Sequence, residues 1–478
     1  MKMKYKTVIG LEMHCELSSN SKVFSRSKNS YSITPNSNIN EIDMAFPGTL
    51  PDLNKKSVKD AIKMALILNC KIPRFMIFDR KNYFYPDLPK GYQITQFTSP
   101  IGTNGNITIK DKDNYINVKI HDIHLEEDSA SMQHFDTTSL IDYNRAGVPL
   151  LELVTEPCFH SADEAITFLE YMRSVYQYTG ISQADTKKGQ VRCDVNISIM
   201  DENEEELGTR VEIKNVNSFS NVYDAINYEI ERQSKLKEEN RYDEVVQETR
   251  RFDEETKTTI RMRSKADAVD YKYFVEPNIP RILITDELIE EIKKTIPRLK
   301  NERKEDYITK YGLSDYDANI LVKEKNISDY FEECIKLGMN PKEACNLINV
   351  NILSYLNKNL LDIENIYLTP SMLKYIVDNI NNQTISSKQA KEIIIKVLDE
   401  KKEPSNFISK ENSQITDEEE LNKIIDKIIS ENQSQVELYR NGKDRLFDFF
   451  VGQMMKETHG KANPVRTKEL LHEKLDKR

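Results

Sequence analysis

The chain has 478 residues, of which 38% are hydrophobic and 31% charged, and its formal net charge is -10. This length predicts two or three domains, and the negative charge excludes a generally basic nucleic-acid coat. No stretch approaches the roughly 18 apolar residues of a membrane span, so we expect a cytoplasmic protein without membrane contact. The six cysteines include no C-x-x-C pair, which argues against a disulfide framework or a zinc ribbon.

Short runs of alternating apolar and polar residues, typical of strands, occur in the first half of the chain. They cover residues 6–13, 117–123, 191–199 and 209–213. Residues 58–68 and 163–178 carry apolar residues at helical spacing, with Ser161 as the N-cap of the second helix. The first part of the chain is therefore predicted to be an α+β domain with a large, mostly antiparallel sheet.

Helical periodicity dominates the second part of the chain. The predicted helices cover residues 289–296, 316–325, 328–337, 342–356, 370–380, 387–398, 417–430, 434–441, 443–458 and 466–475, with a polar linker at 401–412. This organisation predicts a sheet-containing domain at 1–292, an all-α domain at 293–403 and a small helical tail domain at 404–478. Residues 441–478 hold nine Lys and Arg against six Asp and Glu, which suits contact with a polyanion but also fits ordinary charge scatter on a helical surface.

Several acidic residues lie within predicted strands or directly after them. In the first strand, the two-residue period places Glu12 and His14 on one face. Glu126 and Glu127 follow another strand, and Glu152 lies within an apolar run, where an unpaired charge is costly. Any one of these acids, taken alone, is more often a salt-bridged or solvent-facing carboxylate.

Two further acids lie on the polar faces of the last two predicted strands. A hairpin that joins Ile199 to Leu207 would place Asp194 directly opposite Glu212, with the carboxylates roughly 5 Å apart. Like charges at this distance are destabilising without a cation between them, and a hard divalent cation is the usual partner of such oxygen ligands.

These residues together predict a magnesium-type site formed by Glu12, His14, Glu127, Glu152, Asp194 and Glu212, with Glu126 as the alternative to its neighbour. Magnesium suggests phosphoryl transfer. However, the sequence contains no G-x-x-x-x-G-K-[ST] loop, no kinase glycine loop and no G-x-G-x-x-G. If ATP binds, it binds in a less common way, and the residue patterns alone predict only an acidic metal site on a sheet.

Residues 78–93 combine three basic and five aromatic residues. Aromatic faces stack on bases, and Arg or Lys binds phosphate. The candidate nucleotide contacts in this segment are Arg80, Lys81, Tyr83 and Tyr85. The alternative interpretation is a proline-bounded loop that its aromatic residues hold against the core.

Long segments of the chain resemble the B subunits of the bacterial aspartyl/glutamyl-tRNA amidotransferases. They include VIGLEMH (8–14), FDRKNYFYPDLPKGYQI (78–94), IHLEED (123–128), DYNRAGVPLLELVTEP (142–157), VRCDVNIS (191–198), GTRVEIKNVNSF (208–219) and FFVGQMMKETHGKANP (449–464). The resemblance runs essentially from Tyr5 to Arg478. It implies a catalytic cradle domain, an all-α domain and a small helical tail that contacts tRNA.

The resemblance also implies a two-step ligase. ATP phosphorylates the side-chain carboxylate of Glu-tRNA(Gln) or Asp-tRNA(Asn), and ammonia then displaces phosphate to give the amide. The A subunit, a glutaminase of the amidase type, supplies the ammonia from glutamine, and the C subunit braces the pair, so the expected enzyme is a heterotrimer. The expected catalytic residues are Glu12, His14, Glu127 and Glu152, and the expected magnesium ligands are those same residues, with Asp194 and Glu212, and with Glu126 as the alternative to Glu127.

The chain departs from many members of this family in an early loop. Four zinc-binding cysteines of those relatives correspond here to Ser25, Ser27, Asn40 and Asp43. We therefore expect no zinc and a loop that packing alone holds in place.

Two other hypotheses remain at the level of sequence. One is a non-catalytic tRNA-binding scaffold that retains the fold, although a scaffold has no need of clustered carboxylates. The other is a self-sufficient amidase, which needs a nucleophile with its activator, and the sequence contains no such arrangement.

Overall fold

The computed structural model describes residues 5–111, 114–204, 206–216, 218–264, 270–408, 415, 417–458 and 461–476. The chain divides into two compact units, residues 1–299 and residues 300–478. The division into three domains stays a prediction, and residues 409–412 of the predicted linker lie outside the described residues.

The first unit contains a large sheet and three small ones. Its elements in chain order are β1 (Lys6–Glu16), α1 (Lys55–Ile67), β2 (Phe75–Met76), β3 (Asp79–Asn82), β4 (Tyr92–Thr95), β5 (Gly102–Asp111), β6 (Asn114–Glu127), β7 (Ser131–His134), β8 (Ser139–Asp142), β9 (Pro149–Thr155), α2 (Ala162–Thr179), β10 (Val191–Met200), β11 (Val211–Val216), α3 (Phe219–Glu238), β12 (Glu248–Asp253), β13 (Thr258–Ser264), β14 (Phe274–Val275), β15 (Ile282–Leu283) and α4 (Asp286–Lys293). The large sheet has eight strands in the order β13-β12-β11-β10-β1-β9-β6-β5. Among its described strands, only β11 and β12 pair in parallel. The predicted α+β class with a large, mostly antiparallel sheet is confirmed.

β1 lies in the middle of this sheet, between β10 and β9. Its residues Leu11, Met13 and Cys15 are buried in the main apolar core, to which α1, α2 and α3 also contribute. Glu12 and His14 alternate with them and are only partly buried. Because a slip of one residue would exchange the two faces, burial of the apolar face also fixes the position of the polar face.

The predicted N-cap of α2 is confirmed. Ser161 Oγ accepts a hydrogen bond of 3.2 Å from the backbone N–H of Glu164, which satisfies a donor that the helix itself leaves unpaired. At the other end, Gly180 adopts a left-handed conformation with φ of 69°, which suits glycine and ends the helix.

The predicted register between β10 and β11 is wrong by two residues. Asn196, rather than Asp194, lies opposite Glu212, and the pairing is irregular next to Asp194. The connection between the strands is too long for a tight hairpin. It packs directly on β10 at Gly208, where a Cβ atom would lie only 2.0 Å from the carbonyl oxygen of Ile199. This longer connection displaces β11 along its partner, and therefore Asp194 and Glu212 do not face each other directly.

The second unit is helical in its described residues. Its helices are α5 (Lys300–Thr309), α6 (Asp315–Leu321), α7 (Lys325–Lys336), α8 (Pro341–Asn346), α9 (Leu353–Asn359), α10 (Pro370–Asn381), α11 (Ser387–Glu400), α12 (Glu418–Glu431), α13 (Gln433–Arg440), α14 (Leu446–Glu457) and α15 (Pro464–Leu475), with a π-helix at Leu347–Ile352 between α8 and α9. One apolar cluster joins α5 to α11 and another joins α12 to α15. None of the described helices in either unit combines the length and apolar character needed to cross a membrane.

Candidate active site

The pairing of four strands brings most of the predicted acidic residues into one row. Glu12 lies opposite Asp194, His14 opposite Glu152, and Glu152 opposite His124. The strands involved are β10, β1, β9 and β6, which are neighbours in the sheet. Because side chains alternate along each strand, these five side chains share the face away from the core.

Glu152 lies at the centre of this row. Its Oε2 atom is 3.2 Å from His14 Nε2 and 3.4 Å from His124 Nε2. His14 Nε2 also lies 3.5 Å from Glu12 Oε1, and His124 Nε2 lies 3.9 Å from Glu126 Oε2. Two triplets of donor atoms result, Glu12 with His14 and Glu152, and His124 with Glu126 and Glu152, and within each the atoms lie within 4.8 Å of one another. We refer to the set as the acidic row: Glu12, His14, His124, Glu126, Glu152 and Asp194.

The crowding of charge shifts the pKa values in the acidic row. Burial, reinforced by the charge of Glu152, raises the pKa of Glu12 to about 7. Burial alone would lower the pKa of His14, but its hydrogen bond to Glu152 and the charges of Glu152 and Glu12 raise it to about 9. Burial opposes ionisation of Glu152 as well, yet His124 and His14 hold the pKa of Glu152 well below its ordinary value. At neutral pH, Glu152 is therefore a carboxylate between positively charged imidazoles.

A lysine lies between the two carboxylates that the sequence predicts to share a cation. Lys214 Nζ is 2.9 Å from Asp194 Oδ2 and 3.2 Å from Glu212 Oε1. Glu212 also accepts a hydrogen bond of 2.8 Å from Thr249 Oγ1. Although burial would raise the pKa of Glu212, Lys214 and Thr249 lower it. Glu212 is thus joined to the acidic row through an ammonium group.

Glu126 and Glu127 have different surroundings. Glu126 belongs to the acidic row, and Thr95 Oγ1 donates a hydrogen bond of 3.1 Å to it. Glu127 is 3% exposed, and its carboxylate is held by Lys90 Nζ at 2.5 and 2.6 Å and by the backbone N–H of Ile94 at 2.8 Å. The structure therefore brings Glu126, but not Glu127, to the other predicted ligands.

A cavity of about 420 Å³, which we call the first cavity, adjoins the acidic row. Glu126 and Glu152 line one part of it and Lys81 another. Phe97 and Tyr273 also line it, and their rings stack with centroids 4.2 Å apart and an interplanar angle of 12°. A cavity of this size, with carboxylates, one amine and aromatic faces, suits a polar small-molecule ligand.

Lys81 is the one predicted nucleotide contact that lines the first cavity. Burial would lower its pKa, but the charges of Glu126 and the more distant Glu152 outweigh this effect, and the pKa of Lys81 is raised. Lys81 is therefore a stable positive charge facing a carboxylate-rich surface.

The other three predicted contacts have different positions. Arg80 donates hydrogen bonds to Glu276, with Nε to Oε2 at 2.5 Å and Nη2 to Oε1 at 3.1 Å. Tyr83 packs edge-on against Tyr271, with ring centroids 6.1 Å apart, and Tyr85 is about half exposed. Arg80 and Tyr83 thus fit the alternative interpretation, in which this segment is held by its own packing.

Sequence reasoning did not assign a role to four residues of this region. His124 shares a strand and a face with Glu126, so the two-residue period alone could have predicted that His124 lies in the site. Lys214 alternates with Glu212 in the same way. Phe97 and Tyr273 are far apart in sequence, and nothing local predicts that their rings stack.

The donor set of the acidic row suits a hard divalent cation. Such ions prefer carboxylate oxygens, which Glu12, Glu126 and Glu152 supply within the two donor triplets, and Asp194 lies opposite Glu12. The imidazoles of His14 and His124, protonated without an ion, become ligands only when the ion displaces their protons. Burial, and then the charge of Glu152, raise the pKa of Glu12, so a cation here would favour its ionised form.

The early loop is held by hydrogen bonds as well as by packing, which corrects the expectation for it. Asp43 accepts hydrogen bonds from Ser25 Oγ at 2.7 Å, Ser27 Oγ at 2.5 Å and the backbone N–H of Asn40 at 3.0 Å. The fully buried ammonium of Lys22 lies 3.5 Å from the same carboxylate. Zinc is bound in proteins by Cys, His and carboxylate groups. Two hydroxyls, an amide and one carboxylate that is already hydrogen-bonded do not fit it.

Known proteins resemble this chain over nearly its whole length. Residues 7–290 match the family described as the GatB/GatE catalytic domain, and residues 329–475 match the one described as the GatB domain. The chain is 43% identical over 475 residues to the B subunit of the aspartyl/glutamyl-tRNA(Asn/Gln) amidotransferase of Persephonella marina, covering 99% of this chain and 100% of the relative. It is 43% identical over 478 residues to the protein of the same name from Geobacillus thermodenitrificans, with 100% of each covered. The corresponding protein of Caldicellulosiruptor saccharolyticus is 44% identical over 481 residues, with 99% of this chain and 100% of the relative covered.

Proposed function

Since the chain belongs to the family of aspartyl/glutamyl-tRNA(Asn/Gln) amidotransferase B subunits, we propose that it uses ATP to activate the side-chain carboxylate of Glu-tRNA(Gln), Asp-tRNA(Asn) or both. The observation that carries this proposal is the first cavity, where the acidic row faces the charged Lys81. A free carboxylate is a poor electrophile, and phosphorylation gives it a leaving group. That chemistry needs a place where anionic phosphates and an anionic carboxylate can approach each other.

The proposed reaction has two steps. In the first, an oxygen of the substrate carboxylate attacks the γ-phosphorus of ATP, the bond from that phosphorus to the bridging oxygen breaks, and ADP leaves. In the second, ammonia attacks the acyl carbon, phosphate leaves, and the nitrogen loses a proton to give the amide. The acyl phosphate between these steps is labile in water, so a recessed cavity protects it.

The residues of the site have separate roles in this proposal. Glu12, His14, Glu126, Glu152 and Asp194 would hold magnesium, which when bound would supply positive charge beside the phosphates. Lys81 binds a phosphate oxygen from the side of the cavity.

Two residues at the edge of the site have supporting roles. Lys214, aligned by its contact with Glu212, orients the carboxylate of Asp194. Glu127 supports the fold through Lys90, so the geometry favours Glu126 as the ligand of this neighbouring pair.

We infer that the ammonia comes from other subunits of a heterotrimer, with glutamine hydrolysed by the A subunit and the pair braced by the C subunit. All six cysteines of the chain are free and described, and burial raises the pKa of each of them, to about 12 for Cys15 and Cys70. A thiol with a raised pKa is a weak nucleophile. No cysteine of this chain is therefore suited to hydrolyse glutamine.

The test of the proposed function uses the assembled enzyme with charged tRNA. Asp194→Ala and Glu152→Ala should abolish tRNA-dependent formation of ADP while leaving tRNA affinity within about twofold. Full ADP formation in both variants would refute the role of the acidic row. A non-catalytic tRNA-binding scaffold is the second candidate, and it predicts no ADP formation by the wild-type enzyme.

We also propose that the helical tail, residues 404–478, contacts tRNA. Its support is the excess of basic residues in its last part, residues 441–478, which hold nine Lys and Arg against six Asp and Glu in an otherwise acidic chain. Deletion of residues 404–478 should weaken tRNA binding and flatten its dependence on salt, because each lost phosphate contact removes counterion release. Unchanged affinity and salt slope would exclude the tail from the tRNA interface.

A further inference from the structure

A second cavity, of about 500 Å³, opens on the same face of the sheet. Gly10 and Asn196, which pair across β1 and β10, line it, and they lie one step of the two-residue period from Glu12 and Asp194. His121 lines both this second cavity and the first. The two cavities are therefore neighbours; the first is lined by members of the acidic row, and the second lies one two-residue step from the row along β1 and β10.

Arg210 gives the second cavity an available positive charge. It lies directly before β11, is exposed, and forms no hydrogen bond or ion pair within the part of the chain that the structure describes. The backbone that leads to it is fixed, since Gly208 packs directly on the Ile199 carbonyl. The acid that lines this cavity, Glu156, is engaged by His121, whose Nδ1 atom lies 2.8 Å from Glu156 Oε1.

Phosphoryl transfer places the two substrates on different sides of the reacting phosphorus. In that reaction the attacking and leaving oxygens lie on opposite sides of the phosphorus, roughly in line. A carboxylate that attacks ATP must therefore approach from a side that the nucleotide does not occupy. The first cavity, with Lys81 and the stacked rings of Phe97 and Tyr273, suits the nucleotide. The second cavity, one two-residue step along β1 and β10 from Glu12 and Asp194, is then left for the other substrate.

We propose that the second cavity binds the 3′-terminal nucleotides of the charged tRNA and that Arg210 contacts a phosphodiester of this segment. This inference rests on the proposed function and adds to it the location of the second substrate. A guanidinium without a hydrogen-bonded partner suits a phosphodiester, because its N–H groups meet two phosphate oxygens at once. The described residues that line the cavity include no Phe or Tyr. The recognition proposed there is thus by phosphate contact and shape, with His121 as the one aromatic side chain among the described lining residues.

The experiment measures the KM values of the assembled enzyme for charged tRNA and for ATP, with an ammonium salt as the nitrogen donor. Arg210→Ala should raise the KM for charged tRNA about tenfold or more, the effect of one lost charge-assisted contact, and leave the KM for ATP unchanged. Arg210→Lys should recover only part of the loss, since a point charge still binds phosphate but does not meet two of its oxygens at once. Arg281→Ala is the matched control, because Arg281 is exposed and lines neither cavity.

A binding cycle with shortened tRNA tests the location of the contact. Removal of the three 3′-terminal nucleotides should weaken tRNA binding to the wild type, and Arg210→Ala should weaken binding of intact tRNA but not of the shortened tRNA. The salt slope for intact tRNA should fall by about 1 in Arg210→Ala. Thermal unfolding of Arg210→Ala, and of Arg210→Gln as a second variant, verifies that each folds.

Three outcomes would overturn the inference. One is an unchanged KM for charged tRNA in Arg210→Ala. Another is a rise in the KM for ATP instead, which would show that Arg210 contacts the nucleotide and not the tRNA. The third is equal weakening of intact and shortened tRNA. If the wild-type enzyme forms no ADP with charged tRNA, the proposed function itself fails. If the wild type is active and Arg210→Ala equals it, only this inference fails.

Discussion

Glu126 and Glu127 are consecutive residues of β6, yet one carboxylate faces the acidic row and the other is held by Lys90. We expect Glu126→Gln to lower the rate of ADP formation at least a hundredfold without loss of stability, because the change removes a charge that lies close to Glu152. Glu127→Gln should keep the rate within about threefold but lower the free energy of unfolding by about 2 kcal/mol, because it weakens charged hydrogen bonds to a buried group. Steady-state kinetics and urea unfolding of both variants measure this contrast. The reverse pattern would make Glu127 the functional member of the pair.

The stability of the chain without divalent cations should depend on His14. The pKa of His14 is raised from 6.5 to about 9 in the folded chain. Protonated His14 therefore contributes fully to the free energy of unfolding below pH 6.5, and this contribution is lost as the pH rises toward 9. We expect the free energy of unfolding in EDTA to fall by about 3 kcal/mol over this range. Glu12, whose pKa is raised to about 7, also makes the folded chain less stable as the pH rises, but over a lower pH range. Urea unfolding at pH 6.5 and pH 9 measures this loss of stability. If Glu152→Gln loses as much stability between these two pH values as the wild type, the assignment of the effect to His14 is contradicted.

Magnesium should stabilise the folded chain through the acidic row. A ligand present at about 100 times its Kd raises the free energy of unfolding by about 2.7 kcal/mol. Thermal unfolding with and without MgCl₂ should therefore show a higher Tm with magnesium for the wild type and for Glu127→Gln. Glu152→Gln, which loses the carboxylate common to both donor triplets, should show no such shift. A shift that is the same in all three proteins would place the ion elsewhere.

The loop around Asp43 should be stable without metal and sensitive to one substitution. Asp43→Asn leaves the fully buried ammonium of Lys22 without a charged partner, so we expect a loss of about 3 kcal/mol in the free energy of unfolding. The matched control is Asp52→Asn, which breaks an ion pair with Arg26, a residue that is 87% exposed in its side chain, and should cost less than about 1 kcal/mol. A zinc chelator should leave the Tm of the wild type unchanged. Chelator-induced unfolding would show that the loop needs metal.

The strands of the site could be predicted because alternation is a local property. Glu12, His14, Asp194 and Glu212 each lie on the polar face that the two-residue period gives them. The register between β10 and β11 could not be predicted, since it depends on how the connection packs at Gly208. That packing, and not the alternation, decides whether a lysine or another carboxylate faces Asp194.

Helices were predictable where the apolar stripe was continuous. α2 has such a stripe and a serine cap, and it forms nearly where predicted. α3 was not predicted, and it buries Glu229 and Gln233 among its apolar residues. Glu229 is fully buried and accepts hydrogen bonds from Arg232 and Thr259. Partners from a distant strand thus allow a polar residue at a core position, and no local pattern signals this.

The acidic row is assembled from strands that span the chain from β1 to β10. Its two donor triplets come from β1, β6 and β9 alone, so no fragment that lacks one of these three strands, and no folding intermediate in which they have yet to pair, can present both. If the acidic row binds magnesium as proposed, capture of the ion would report that these three strands have paired. A cell that supplies magnesium in excess would then favour paired molecules over partly folded ones, and an ion used in the chemistry would also bias folding toward the active form.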